Sequence, residues 1–369
     1  MIVFGTRPEA IKLCPLVIEL NKHIDKFKTI VCVTAQHRKM LDQFLALFNV
    51  TPDHDLDLMK EDQTLFDITS GVLTKINTIL KRGKPDIVIV QGDTTTTFAV
   101  SLAAYYHRIS VGHVEAGLRT GNKYSPFPEE MNRKLTGAIA DLHFAPTDQA
   151  RANLLAENIL SENIFVTGNT VIDALFWVRN KIQSENKNYK NLFNTIDFSK
   201  RIILVTGHRR ENFGQGFINF CSALKTLALN HSDLQIVYPV HLNPNVRKPV
   251  NEIMAGVENI KLIDPLDYEP FIYLMDKCYL IITDSGWIQE EAPSLGKPVL
   301  VTRNTTERPE AIAVGAAKLV GTDKDKIILE AERLLNNHKN YDKMAKINNP
   351  YGDGQASQRI VKRLAEYLV

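Results

Sequence analysis

The residues best placed to move a proton are acidic ones at the ends of apolar runs. In "IVIVQGDTTTT" Asp93 follows a strand-like run and precedes a helix-length segment, and in "VGHVEAGLRT" Glu115 sits at the tip of another. "SPFPEEMNRKL" adds Glu129 at the start of a helical stretch. Asp93 in that setting is a natural N-cap, its oxygen accepting from the first unbonded amides of the helix. Glu129 suits the positive end of its helix and lies one turn before Arg133, at ion-pair spacing. Glu115 has no evident capping duty. Gathered along one edge, the three carboxylates would also suit acid–base work, with mutual repulsion raising the pKa of one of them.

Cationic side chains occupy comparable places. In "MIVFGTRPEAIK" Arg7 follows the first apolar run, and Lys12 lies about a turn into the helix that Pro8 begins. Such a pair beside free helix amides makes an anion site, or else a solvated basic edge. "TGHRRENFG" places His208, Arg209 and Arg210 after another strand with the same two readings, and His241 in "YPVHLNP" serves equally well as a structural hydrogen-bonding residue. "IITDSGWIQEEAPSLGKPVL" ends a buried run in Asp284, and Ser285 and Gly286 then open a helix whose amides suit phosphate oxygens. Glu291, about a turn inside, is placed to accept from ribose hydroxyls, and "NTTERPEA" supplies Arg308 before another proline-initiated helix. Together these read as a nucleoside-diphosphate site. Neither G-x-x-x-x-G-K-[ST] nor G-x-G-x-x-G is present, so the site has no Walker loop and no dinucleotide fingerprint. H-E-x-x-H and cysteine–histidine clusters are also missing, and no metal site is expected.

The elements that must position these groups follow from the hydropathy pattern. "MIVFG", "TIVCVT", "PDIVIVQG", "ISVGHV", "LHFAPT" and "IFVTG" are continuous apolar runs separated mostly by helix-length amphipathic stretches. That alternation predicts strands covered on both faces, in a parallel sheet wound through βαβ crossovers. A second series begins at "RIILVTGH" and runs through "QIVYPV", "IKLIDP", "YLIITD", "KPVLVT" and "AAKLVG". The polar stretch "RNKIQSENKNYKNLFNTIDFSK" lies near the boundary between the series. The fold class is therefore α/β, with two doubly wound, Rossmann-like domains. Ligands of open parallel sheets bind outside the carboxyl ends of the strands, which points to a cleft between the domains. "IVFGTRPE" and "ILVTGHRREN" echo one another, as an old duplication or as the common form of such turns.

Bulk properties narrow the function classes. At 369 residues, 44% hydrophobic and 23% charged, the chain has room for two cores and little for long disorder. The net charge of +2, from 44 basic and 42 acidic residues, suggests neither a nucleic-acid nor a membrane-surface partner. No apolar run approaches the ~18 residues of a membrane span. The opening "MIVFGTRPEA" leads directly into a strand, which leaves no room for a signal peptide, and the expected location is cytoplasmic. Cys14, Cys32, Cys221 and Cys278 are scattered and read as reduced, mostly buried thiols.

Taken together, "FGTRPEAIK", "QGDTTTT", "GHVEAGLRT", "PEEMNR", "GNTVIDAL", "TGHRREN", "DSGWIQEEAPSLGKPVL" and "TTERPEA" resemble, in order and over nearly the whole chain, the non-hydrolysing UDP-N-acetylglucosamine 2-epimerases. The resemblance implies the glycosyltransferase B architecture, with domains at 1–167 and 171–352 and a C-terminal helix, 354–369, returning to the first domain. It implies an isomerase that interconverts UDP-N-acetylglucosamine and UDP-N-acetylmannosamine, by anti elimination of UDP to 2-acetamidoglucal and re-addition. No cofactor or metal is implied. Asp93, Glu115, Glu129 and His208 match catalytic positions, and Arg7, Lys12, Phe271, Ser285, Gly286, Glu291 and Arg308 match substrate-binding ones, Phe271 beside the uracil. Gln36, His37 and Gln63 match a second site at which UDP-N-acetylglucosamine acts as an activator. A homodimer supplying cell-envelope polysaccharide synthesis is implied as well.

Trp287 departs from the family, which has glycine there. An indole in the cleft would impair diphosphate binding and leave a nucleotide-sugar-binding protein; an indole turned away would leave activity intact. A retaining glycosyltransferase of the same fold is the other alternative, disfavoured by the carboxylate trio and the threonine run.

Overall fold

The computed structural model describes residues 1–34, 38–59, 62–187, 189 and 191–368. The chain divides into two compact units, Met1–Phe176 with Tyr351–Val369, and Trp177–Pro350. The division falls inside the helix Thr170–Ser184.

The first unit carries strands β1 (Ile2–Phe4), β2 (Val31–Val33), β3 (His54–Asp55), β4 (Ile87–Gln91), β5 (Ser110–Val114), β6 (Leu142–Ala145) and β7 (Ile164–Val166). All pair in parallel, in the order β3-β2-β1-β4-β5-β6-β7. Every residue of β4 is buried, as a continuous apolar run covered on both faces requires. One core layer packs Val3, Val88 and Val90 against Val72, Ile76 and Leu80 of the helix Leu65–Gly83 and against Ala99 and Val100 of Thr95–Tyr106. Each fully buried valine or leucine contributes about 1.5–3 kcal/mol.

The second unit holds β8 (Arg201–Thr206), β9 (Leu234–Pro239), β10 (Ile260–Ile263), β11 (Leu280–Thr283), β12 (Val299–Val301) and β13 (Ala317–Leu319), again parallel, in the order β10-β9-β8-β11-β12-β13. Its core joins Ile203, Val205, Ile236 and Ile282 to Phe217, Phe220 and Leu224 of the helix Gln215–Asn230.

Strand order reverses between β1 and β4 in the first sheet and between β8 and β11 in the second. Those two switch points are where open α/β sheets take ligands. Register places the candidate residues there. Gln91 lies opposite Val114, which sets Gly92–Asp93 level with Glu115, and Thr283 lies opposite Thr206, which sets Asp284 level with Gly207–His208.

The C-terminal helix Ala356–Tyr367 buries Ile360, Val361 and Leu364 in the first unit. Asp173 fastens its start, accepting from the amides of Ser357 at 2.7 Å and Ala356 at 3.2 Å. Gly354 precedes it at φ +80°, and a Cβ there would lie 2.4 Å from the Phe176 ring. Among the described residues no helix is long and apolar enough to cross a membrane. The four cysteines are buried and unpaired with one another.

Candidate active site

In the first unit the polar network grows from the turn after β1. Thr6 and Glu9 form a capping box at the start of the helix Arg7–Leu20. The Glu9 carboxylate accepts from the Gly5 amide at 3.0 Å, the Thr6 amide and hydroxyl at 2.8 Å each, and the Thr94 and Thr97 hydroxyls at 2.7 and 3.1 Å. It thereby ties the loop after β1 to the loop after β4. Burial pushes its pKa up, against the pull of these donors. Arg7 is exposed at the head of the same helix.

Glu115 is the most enclosed of the three predicted carboxylates. Lys12 pairs with it, Gln91 donates to it through its amide, and Asn169 donates at 3.0 Å. Its φ of +63° is a left-handed conformation that costs a non-glycine residue about 1–3 kcal/mol. Beneath it His113, wholly buried, donates through Nε2 to the Gly92 carbonyl at 2.7 Å. Burial pushes the His113 imidazole down to about 3, so it is neutral at pH 7.

Asp93 is not the helix cap that its position suggests. Thr94 takes that place, accepting from the Thr97 amide at 3.1 Å, which leaves the Asp93 carboxylate to pair with Arg133. The expected Glu129–Arg133 pair is replaced accordingly. Arg133 reaches Asp93 and, at 3.6 Å, Glu130, whose own carboxylate accepts from the amides of Thr120 and Gly121. Glu129 begins the helix Glu129–Ile139, one turn before Asn132 and Arg133 and on the same face. Asn132 donates to the Asp93 carbonyl at 2.9 Å. Oε2 of Glu129 is buried without a hydrogen-bond partner among the described residues. Peptide bonds Ser125–Pro126 and Phe127–Pro128, just before this helix, are cis.

In the second unit Asp284 organises the switch point. Its Oδ2 accepts from the amides of His208 and Arg209, each at 2.8 Å, and its Oδ1 lies 3.5 Å from Nδ1 of His208. The His208 ring stacks on His241 at 5.4 Å. Its pKa is lowered, first by burial and then by His241 and Arg209, with Asp284 pulling the other way. Burial thus favours the neutral form of the His208 imidazole, and Asp284 favours the charged one. The Ser285 amide donates to Thr283 Oγ1 at 2.9 Å, so unbonded amides of this helix begin at Gly286. A Cβ on Gly286 would lie 3.9 Å from the guanidinium groups of both Arg209 and Arg308. Arg308 pairs with Glu290, and Arg303 bridges Glu211 and Glu307 at 2.6 and 2.9 Å. That Arg303 partnership is the main reason Glu307 is held down at about 2.

Glu291 is fully buried and accepts from the Tyr268 hydroxyl at 2.7 Å. Trp287 packs beside it, its ring 5.1 Å from Phe271 and 6.3 Å from Tyr268. Gln63, in the first unit, donates to the Leu58 carbonyl at 2.6 Å. Gln36 and His37 lie outside the described residues. Among the described residues no cluster of His, Cys, Asp and Glu could hold a metal ion.

Residues 19–365 match the family described as UDP-N-acetylglucosamine 2-epimerase. The UDP-N-acetylglucosamine 2-epimerase of Escherichia coli strain K12 is 59% identical over 98% of this chain and 97% of its own length. The Yersinia pestis UDP-N-acetylglucosamine 2-epimerase is 58% identical over 100% and 98%. The chain belongs to the UDP-N-acetylglucosamine 2-epimerase family. The crystal structure of the UDP-GlcNAc 2-epimerase of Neisseria meningitidis bound to UDP-GlcNAc superposes with a TM-score of 0.89, at 51% identity, over 99% of each chain. A glycosyltransferase from Rickettsia africae, 16% identical with a TM-score of 0.64 over 100% of this chain and 98% of its own, shares the glycosyltransferase B fold alone.

Within this family member the structure groups Arg7, Lys12, Asp93, Glu115 and Glu129 in one unit, and His208, Phe271, Ser285, Gly286, Trp287, Glu291 and Arg308 in the other. Sequence reading passed over Glu9, Gln91, Asn169 and His113. Asn169 had a signal in the "GNTVIDAL" motif, but nothing local marks Gln91 as a donor to Glu115, because their meeting depends on the pairing of β4 with β5.

Proposed function

We propose that this chain is an isomerase that interconverts UDP-N-acetylglucosamine and UDP-N-acetylmannosamine. The C-2 hydrogen of the sugar is not acidic enough to leave as a bare proton. The reading therefore takes the reaction through anti elimination. A carboxylate accepts the C-2 proton, the C-1 to oxygen bond breaks with its electron pair going to UDP, and a C-1 to C-2 double bond forms in 2-acetamidoglucal. Re-addition delivers a proton to the opposite face of C-2 as a diphosphate oxygen rejoins C-1.

Inversion at C-2 calls for acid–base groups serving both faces of the ring. Asp93 and Glu129 take those parts, since Glu115 is held by Lys12, Gln91 and Asn169 and is better suited to fixing Lys12 and a sugar hydroxyl. Negative charge gathers on the departing diphosphate, where fixed cations and amides lower the barrier most. Arg7, Lys12, Arg308 and the Gly286 amide supply them, the Ser285 amide being taken by Thr283, and His208 joins by taking up a proton as the anion arrives. Glu291 and Phe271 hold the nucleoside. The observation that carries the reading is the meeting of Asp93 and Glu115 at the ends of adjacent strands, each on a cationic partner, in a chain of this family.

Incubation with UDP-N-acetylglucosamine in deuterated water is the test. The expected outcome is epimer carrying deuterium at C-2. Transfer of the sugar only when an acceptor is added overturns the reading in favour of a glycosyltransferase, and unchanged sugar despite tight UDP binding reduces the chain to a binding protein. Activation by a second UDP-N-acetylglucosamine through Gln36, His37 and Gln63, and a homodimeric state, belong to the same reading. Rates that stay hyperbolic in substrate would remove the activator.

A further inference from the structure

Cationic and aromatic surfaces adjoin across a single peptide bond in the second unit. Gly286 faces the Arg209 and Arg308 guanidinium groups, each 3.9 Å from where its Cβ would be, with Oε2 of Glu307, the partner of Arg303, at the same distance. One residue on, the Trp287 indole lies against Phe271 and Tyr268, tilted by 57° and 51° to their rings. Tilted packing of this kind brings edges to faces and does not cover both sides of the indole. Phe271 is only 6% exposed, whereas Trp287 stays partly exposed. The shelf beneath is stiff, because the Tyr268 hydroxyl is fixed on the buried Glu291 carboxylate at 2.7 Å. A ligand that fits guanidinium groups on one side and a partly open aromatic shelf on the other must join an anion to a flat ring, which is the chemistry of a nucleoside diphosphate.

We propose that Trp287 stacks on the nucleobase of the bound nucleoside diphosphate, so that this chain holds the base by an indole face as well as by Phe271. The inference rests on the UDP site proposed above and assigns to one side chain a share of its affinity. The Trp287 backbone amide stays at the helix start while its side chain turns from the guanidinium groups toward Phe271. Stacking of a base on an aromatic side chain contributes enough to change affinity about 5- to 150-fold when it is lost. Because every base has a π-face, the same contact loosens the preference for uracil over other bases.

The chain has two tryptophans, Trp177 and Trp287, so Trp177→Phe leaves Trp287 as the sole indole and makes it a reporter. In that variant UDP is expected to quench the emission, and pyrophosphate, which has no base, to leave it unchanged. Calorimetric titration of Trp287→Ala is expected to show UDP affinity reduced about 5- to 150-fold with pyrophosphate affinity intact, and Trp287→Phe to recover most of the loss. A Trp287→Ala protein that binds UDP equally well or more tightly overturns the inference, as does UDP binding with no change in Trp287 emission. Those results leave the epimerase reading standing. Failure of the unsubstituted protein to bind UDP at all removes both. Should Trp287→Ala unfold, Trp287→Leu, which fills the space without a π-face, compared for UDP and pyrophosphate decides the matter, since a merely structural role would move both ligands alike.

Discussion

The two units answer the same architectural problem with opposite charge. Each has a parallel sheet with a reversal of strand order, and each presents loops and helix starts at the reversal. In the first unit that edge is built of carboxylates held by cations: Glu115 on Lys12, Asp93 on Arg133. In the second the buried Asp284 carboxylate holds backbone amides, and beside it stand an imidazole and arginines, Arg308 on the buried Glu290. The fold supplies the place and the side chains supply the chemistry. An edge with several carboxylates, one of them with an oxygen that accepts no hydrogen bond among the described residues, suits proton movement, and an edge of amides and guanidinium groups suits an anion.

That contrast is open to attack by substitution. The largest effect is expected at Asp93. Asp93→Asn keeps the shape but not the basicity, and turnover should fall by about 10²- to 10⁴-fold with UDP affinity within a factor of about two. An undiminished rate, measured by epimer formation, removes Asp93 from the mechanism. Asp284→Ala should do the reverse. It strips the acceptor from two amides, lowering the free energy of unfolding in urea by about 2 kcal/mol and weakening UDP binding more than it slows any turnover at saturation. If instead binding is intact and the rate collapses, the division of labour between the units is wrong.

A separate effect, on stability rather than turnover, concerns acid. His113 is neutral in the folded chain and its pKa is pushed down to about 3, with the neighbouring His143 pushed down to about 4. An unfolded histidine takes its proton near 6.5, so between that pH and the folded pKa the unfolded chain binds more protons. Stability is therefore lost as pH falls through this window, by about 1.4 kcal/mol per unit for each histidine fully engaged. Hydrogen exchange at pH 6.5 and 4.5 should place the loss in the first unit. His113→Gln, whose amide can still donate to the Gly92 carbonyl, should flatten the slope; an unchanged slope assigns the acid sensitivity elsewhere.

Much of this could be read from residue order. Continuous apolar runs alternating with amphipathic stretches specify parallel strands buried on both faces, and polar residues at the ends of those runs mark the binding edges. The places of Asp93, Glu115, Ser285 and Gly286, just past the ends of strands, were legible on that ground alone. The partners were not. Asp93 reads as a cap because aspartate usually is one, yet Thr94 has the same ability one residue later and takes the amide. Arg133 stands at ion-pair spacing from Glu129 but also within reach of Asp93, and only the packing of the helix Glu129–Ile139 beside the loop after β4 decides between them. The direction of the Trp287 indole is likewise a tertiary fact, set by Phe271 and Tyr268 on the preceding helix, across β11.

The fastening of Ala356 and Ser357 by Asp173 has a consequence for biosynthesis. The first unit is made of two separate stretches of chain, so its N-terminal part leaves the ribosome long before the helix that completes it. Through translation of the whole intervening unit, a buried carboxylate waits for its amides and an apolar patch waits for Ile360, Val361 and Leu364. A nascent chain in that condition is a natural client for chaperones that shield incomplete surfaces.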